Sequence, residues 1–270
     1  MNSPYSSFKR DGVRIAYDRT GAGPLVVFLH GIGGNRTNWN DQLNSLSDSY
    51  CCVSWDARGY GDSDDPDRVL EFTDFADDLN ALLDHLDVER AHLVGLSMGG
   101  YIAQSFYERY PSRVATLTLA ATNAGAHLLG DAGRADFLAK RLQPLEAGLA
   151  IADMAPALVN VLAGNLADTT IRDRLQQSLL ALRPESYKQT LRAFVTTDFR
   201  EGLSFIRVPT LVITGNQDKV FPLSDSEYLA ENISQSQLVI LDGAGHLCNI
   251  EAPVAFDKAL REFLQSAVSN

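Results

Sequence analysis

The chain has 270 residues, of which 45% are hydrophobic and 21% are charged, a balance that excludes a disordered chain, a collagen and a disulfide-rich scaffold. Its formal net charge is −11, from 34 acidic and 23 basic side chains. Such a charge repels phosphate backbones and anionic lipid headgroups, so it argues against nucleic acid and against a membrane surface as partners.

Cysteine content and hydropathy bear on the compartment. The three cysteines, Cys51, Cys52 and Cys248, cannot form a framework of paired disulfides, and their spacing is not that of a zinc site. The N-terminal residues have no apolar signal-peptide core, and no stretch approaches the roughly 18 to 20 apolar residues that span a bilayer. We therefore expect a cytoplasmic protein, with no metal, no cofactor and no membrane association.

Short apolar runs alternate with helical patterns along the chain. Residues 13–17 alternate like a half-exposed strand, whereas Leu25–Leu29 is apolar throughout, which is typical of a parallel strand buried on both faces. Further strands are predicted at Cys51–Trp55, 92–96, 117–120, 210–213 and 237–241. The clearest helix is predicted over 73–87, where apolar side chains recur at helical spacing. This alternation predicts a mostly parallel sheet flanked by helices.

One interval breaks the alternation. Far more residues lie between the strands at 117–120 and 210–213 than a crossover needs, and their pattern is helical. The helical segments are 135–142, 155–162 and 171–182. We predict a helical cap over 124–200, inserted into a sheet domain formed by 1–123 and 201–270. The cap has nine basic and eight acidic residues, so most of the acidity lies outside it.

Ser97 is the candidate nucleophile. It lies in Gly95-Leu96-Ser97-Met98-Gly99, between the strand at 92–96 and a helix predicted over 101–110. A sharp turn at such a junction lifts the serine hydroxyl above the sheet in a strained conformation, and flanking glycines let strand and helix pass closely. Because the pattern lies at a strand-to-helix junction, it indicates a nucleophilic serine much more specifically than the spacing of its residues alone.

A serine hydroxyl needs a base, and His246 is the best candidate. It follows the last predicted strand, while Asp218 follows the strand at 210–213, so both lie at the carboxyl edge of the sheet. A carboxylate at Asp218 would hold the tautomer of His246 and stabilise the imidazolium formed during attack. Asp242 is a rival acid, disfavoured because it lies only four positions before His246 in the chain.

Two backbone N–H groups are needed to stabilise an oxyanion. Met98 supplies one, because it follows the nucleophile at the positive end of a helix. The second is expected in the loop His30-Gly31-Ile32-Gly33-Gly34, with Ile32 as the first choice and Gly33 as the second. A phosphate-binding loop is the competing interpretation, and it fails because no lysine follows the glycines.

With these residues the chain resembles the α/β-hydrolase superfamily over nearly its whole length. The order Ser97, Asp218, His246 is that of the superfamily, and residues 56–63 resemble its D-x-R-G-x-G-x-S loop, for which we expect a structural role. The resemblance implies an α/β fold with a mostly parallel eight-stranded sheet and a cap after the sixth strand. The Gly-Leu-Ser-Met-Gly-Gly elbow is similar to that of 3-oxoadipate enol-lactonase-like hydrolases. A tryptophan expected in the cap of that group is absent here.

The expected function is that of a serine hydrolase acting on a small-molecule carboxylic ester or lactone through an acyl-enzyme. A meta-cleavage-type C–C bond hydrolase and a hydrolase-fold small-molecule receptor with slow turnover are the alternatives, and a homodimer is compatible with the sequence. The cap cations Arg134, Lys140 and Arg141 are compatible with a carboxylate-bearing substrate. Apolar cap residues that could line a pocket are Phe137, Leu138, Leu142, Leu145, Met154 and Phe194.

Overall fold

A computed structural model describes residues 5–66 and 68–268, so the ends of the predicted sheet domain and residue 67 lie outside the described residues. Its eight strands are β1 Ser6–Arg10, β2 Val13–Thr20, β3 Leu25–Leu29, β4 Cys51–Trp55, β5 Ala91–Leu96, β6 Val114–Ala120, β7 Thr210–Gly215 and β8 Ser236–Leu241. They form one sheet in the order β1-β2-β4-β3-β5-β6-β7-β8. Strands β3 to β8 are parallel, β2 pairs antiparallel with β4, and β1 pairs antiparallel with β2. The predicted fold class is confirmed.

Ten α-helices connect and cover these strands within the described part of the chain. They are α1 Asn40–Leu46, α2 Phe72–His85, α3 Met98–Arg109, α4 Gly130–Glu146, α5 Ile151–Leu162, α6 Thr169–Leu180, α7 Pro184–Thr196, α8 Leu223–Asn232, α9 Cys248–Glu251 and α10 Pro253–Val268. Helices α4 to α7 lie between β6 and β7, and we call them the cap helices. Within the described residues, no helix is both long and apolar enough to cross a membrane.

The central strands form the core of the sheet. Every residue of β3, β4 and β5 is buried, which is why their sequences are apolar runs without alternation. Their carboxyl ends point to the same edge, because β3 pairs in parallel with both β4 and β5. In a sheet of this kind, the loops that follow these ends form the functional site.

Several elements were not identified from the sequence, among them the helices α1, α8, α9 and α10, the strand β1 and the helix α7. Strand β1 joins β2 through Asp11 and Gly12, which have φ values of 50° and 84°, and Asp-Gly is a strong hairpin signal. Helix α7 begins at Pro184 and buries Tyr187, Leu191 and other residues at helical spacing. Both elements thus have a sequence signal: the Asp-Gly turn beside the polar strand β1, and the proline and apolar spacing of α7 at the end of the long helical interval.

The loop at 56–63 has the structural role expected of it. Asp56 accepts hydrogen bonds from the backbone N–H groups of Arg36 and Asp62, at 2.7 and 2.8 Å. Arg58 donates two hydrogen bonds of 2.6 Å each to the carboxylate of Asp78 on α2, and both side chains are buried. Asp56 therefore connects this loop to the segment after β3, and Arg58 connects it to helix α2.

Candidate active site

Ser97 occupies the sharp turn between β5 and α3. Its backbone has φ 56° and ψ −115°, a left-handed conformation that is strained for a residue with a side chain. The flanking glycines leave no room for a Cβ: one on Gly95 would lie 2.2 Å from the carbonyl oxygen of Gly99, and one on Gly99 would lie 2.0 Å from that of Leu29. The close crossing of strand and helix therefore explains the glycines of the elbow.

His246 and Asp218 meet at the carboxyl edge of the sheet. Asp218 Oδ2 lies 2.8 Å from His246 Nδ1, and Asp218 Oδ1 accepts from the N–H groups of Val220 and Phe221 at 2.7 and 3.1 Å. The rival acid, Asp242, instead accepts a hydrogen bond of 2.7 Å from the side chain of Asn216. The carboxylate is held by backbone donors and can in turn orient the imidazole, so that Nε2 is left for a substrate or for Ser97.

Ser97 and His246 share the walls of two cavities under the cap helices. The two residues are 5% and 4% exposed, so the candidate nucleophile and base lie in a largely enclosed space. The larger cavity, of about 60 Å³, is the cap cavity. The smaller, of about 40 Å³, is the loop cavity, because the loop after β3 forms one of its walls.

The two predicted oxyanion donors lie in the wall of the cap cavity. Ile32 and Met98 line it together with Ser97, and neither backbone N–H donates to an acceptor among the described residues. Met98 is the first residue of α3, where N–H groups have no intrahelical acceptor. These two amides are therefore available to a negatively charged oxygen.

His30 shapes the loop that carries Ile32, a role that sequence reasoning missed. Its Nε2 accepts a hydrogen bond of 3.1 Å from the Ala57 N–H, so its Nδ1 is the donor to the Gly31 carbonyl oxygen, at 2.8 Å. Burial lowers the pKa of His30, which favours this neutral form. The histidine holds one carbonyl of the loop in place beside the candidate oxyanion donor.

Arg141 is the cationic residue in the wall of the cap cavity. Its guanidinium carbon lies 3.8 Å from the centre of the Phe137 ring, and Nη1 donates a hydrogen bond of 3.3 Å to the Phe137 carbonyl oxygen. Burial lowers the pKa of this guanidinium, although an arginine stays charged in a protein. The neighbouring acid Asp136 forms its ion pair with Lys140 at 2.7 Å, and its charge raises the pKa of Arg141 by less than burial lowers it.

The remaining cap predictions divide between the cavity and the rest of the cap. Arg134 forms an ion pair with Asp131 and, like Lys140, lies outside both cavity walls. Of the apolar residues proposed from the sequence, Phe137 and Phe194 line the cap cavity, whereas the other four do not. Lining residues that were missed are Leu158, Val161, Leu162, Leu179, Tyr187, Val220 and Phe221. Leu158, Val161 and Leu162 share one face of α5 at helical spacing, but the others come from different helices and a loop, so no single periodic pattern identifies the whole set.

The cap is attached directly to the loop that carries His246. The His246 N–H donates to the carbonyl oxygen of Leu162 at 2.9 Å, at the end of α5. Glu251 Oε2 accepts from the N–H groups of Gly164 and Gly245, at 2.9 and 3.1 Å. A Cβ on Gly164 would lie 2.3 Å from the Gly245 nitrogen, so the two loops are in backbone contact. The position of His246 therefore depends on how the cap is seated.

The fold agrees with comparisons to known proteins. The family model for the alpha/beta hydrolase fold matches residues 24–253. The chain is 31% identical over 243 residues to 3-oxoadipate enol-lactonase 2 of Acinetobacter baylyi, an alignment that covers 90% of this chain and 89% of that relative.

Solved structures give the same result. A thermophilic esterase from Thermogutta terrifontis superposes with a TM-score of 0.86 and 28% identity, over 98% of this chain and 99% of that one. The enol-lactonase from Burkholderia xenovorans LB400 superposes with a TM-score of 0.84 and 25% identity, over 97% of this chain and 100% of that one. The chain belongs to the α/β-hydrolase family, and its relatives support ester or lactone hydrolysis as the activity at the level of the family.

Proposed function

We propose that this chain is a serine hydrolase that cleaves a carboxylic ester or lactone whose acyl part carries a carboxylate. The observation that supports this most strongly is the composition of the cap cavity. Its wall combines Ser97, His246, two free backbone N–H groups and the guanidinium of Arg141, and the rest of the wall is mostly apolar. A small enclosed site of this kind suits a small anionic substrate, because the arginine is the group that can pair with a carboxylate.

The chemistry is a two-step acyl transfer. Ser97 Oγ forms a bond with the substrate carbonyl carbon while His246 Nε2 takes the hydroxyl proton. The carbonyl oxygen becomes an oxyanion that accepts hydrogen bonds from the Ile32 and Met98 amides. When this intermediate collapses, the bond to the leaving oxygen breaks, and His246 gives that oxygen its proton. Water then releases the acyl group from Ser97.

The test is a hydrolysis panel with wild-type protein and Ser97→Ala. The panel contains short esters, simple lactones, an enol-lactone and a meta-cleavage product, so that it also covers C–C bond hydrolysis. We expect Ser97→Ala to lower turnover on the best substrate by at least about 10³-fold, because a catalytic triad acts as a unit. A variant that keeps more than about a tenth of the wild-type rate would refute Ser97 as the nucleophile. Asn80→Ala, at a half-buried polar position on α2 outside both cavity walls, serves as the control for substitution as such.

A further inference from the structure

Within the described residues, the loop cavity is lined by none of the residues of the cap helices α4 and α7, which contribute to the wall of the cap cavity. It shares with the cap cavity the wall residues Ile32, Gly33, Ser97, Leu162 and His246. The rest of its wall has a different origin, since it includes Asn38, Trp39, Asn249 and the α6 residues Leu175 and Ser178. The candidate nucleophile and base therefore face a second, smaller space that the proposed substrate pocket does not use.

Two polar groups in this wall are buried without a hydrogen-bond partner among the described residues. They are Nε1 of Trp39 and Oδ1 of Asn249, in side chains that are each 1% exposed. The amide orientation of Asn249 is set by its Nδ2 group, which donates to the Asn38 carbonyl oxygen at 3.1 Å and to Gln42 Oε1 at 3.2 Å. The wall thus has one free donor and one free acceptor, and leaving both unused is costly inside a protein.

We propose that the loop cavity binds the water molecule that hydrolyses the acyl-enzyme, with Trp39 Nε1–H as its donor and Asn249 Oδ1 as its acceptor. This inference rests on the proposed function. A water needs roughly 10 to 15 Å³ of such space. The cavity of about 40 Å³ therefore admits two or three water molecules, while the acyl group occupies the cap cavity.

The site is next to the base that the reaction requires. The water oxygen forms a bond with the acyl carbonyl carbon, and one water proton passes to His246 Nε2. The tetrahedral intermediate then breaks the bond between that carbon and Ser97 Oγ. His246 returns the proton to Ser97, and the carboxylic acid product leaves. Trp39 and Asn249 act by positioning the water, and they exchange no proton with it.

The test separates acylation from deacylation with p-nitrophenyl acetate as the probe. Saturated turnover gives kcat, and rapid quenching followed by intact-mass spectrometry gives the fraction of protein that carries the acyl group. The deacylation rate constant is kcat divided by that fraction, and the acylation rate constant is kcat divided by the remaining fraction. Trp39→Phe removes the N–H and keeps most of the aromatic ring. Trp55→Phe is the matched control, because Trp55 is also buried with an unpartnered Nε1 but lies outside both cavity walls.

We expect Trp39→Phe to lower the deacylation rate constant by about 3- to 10-fold, as for the loss of one hydrogen bond, and to change acylation by less than about twofold. Trp55→Phe should leave both within about twofold. Leu175→Phe, which narrows only the loop cavity, is a second variant that should also slow deacylation. Equal deacylation in Trp39→Phe and Trp55→Phe, or an equal loss in both steps, would overturn the water site. An unchanged rate of p-nitrophenol release in Ser97→Ala would instead overturn the proposed function, and the water site with it.

Discussion

Replacing Arg141 by methionine tests the substrate class directly. Methionine keeps an unbranched apolar side chain beside the Phe137 ring, but it removes the guanidinium that lies 3.8 Å from the centre of that ring. If the acyl part of the substrate carries a carboxylate that pairs with Arg141, the variant should lose activity on anionic esters and keep it on neutral ones. The chemical groups at Ser97 and His246 are unchanged by this substitution.

The expected size of the effect follows from the position of Arg141. The guanidinium lines an enclosed, mostly apolar cavity, and burial lowers its pKa, which indicates that water solvates it poorly. A hydrogen bond to a charged group in such surroundings contributes about 1.5–3 kcal/mol. Since about 1.4 kcal/mol corresponds to a factor of ten, the preference for anionic substrates should fall roughly 10- to 150-fold.

The assay compares kcat/KM for two series of esters. One contains monoethyl esters of dicarboxylic acids of increasing chain length, and the other contains ethyl esters of monocarboxylic acids of matched length. Lys140→Met is the control, because Lys140 is on the same helix, 70% exposed and paired with Asp136. The ratio of anionic to neutral kcat/KM should fall in Arg141→Met and stay constant in Lys140→Met. A ratio that is unchanged in Arg141→Met at every chain length would refute the reasoning.

Three further predictions concern stability and the attachment of the cap. Asp78→Asn removes the carboxylate charge that pairs with the buried guanidinium of Arg58, so the free energy of unfolding measured with urea should fall by about 3–5 kcal/mol. A loss below about 1 kcal/mol would show that the pair is not needed. Gly164→Ala introduces a Cβ where the cap meets the loop of His246, and we expect kcat to fall roughly 10- to 100-fold in a protein that still unfolds cooperatively. An unchanged kcat would show that the contact between these two loops does not control the position of His246. Burial lowers the pKa of His92 to about 4 from 6.5. As the pH falls through this interval, the unfolded chain takes up a proton that the folded chain refuses, so wild type should lose stability relative to His92→Gln. A stability difference that is the same at pH 7 and pH 4.5 would contradict this.

The fold was predictable because its signals are local. Strands β3, β4 and β5 are buried on both faces, so their sequences are apolar runs that need no knowledge of their neighbours. The elbow at Ser97 also has a local signal, since a strand and a helix come into backbone contact there and only glycines leave room for it. Strand β1 was missed because its alternation is mostly polar, with one buried residue among five.

The candidate residues Ser97, Asp218 and His246 could be proposed from the sequence for a related reason. Each follows a parallel strand, and the carboxyl ends of such strands meet at one edge of the sheet whatever the details of packing. The hydrogen bond of 2.8 Å between the last two agrees with that expectation. The choice of Asp218 over Asp242, by contrast, depended only on how near Asp242 is to His246 in the sequence. In the structure, Asp242 accepts a hydrogen bond from the side chain of Asn216.

The sequence by itself therefore determined the alternation of the central strands with helices, the strained elbow and the edge of the sheet where the polar residues gather. Only the tertiary structure decided that Arg141, and neither Arg134 nor Lys140, lines the cap cavity. The same holds for the loop cavity, where Trp39 and Asn249 approach each other from positions far apart in the chain. The physical reason is that periodicity specifies which residues share a face of a helix, whereas the contacts of that face depend on how the helices pack and rotate on the sheet.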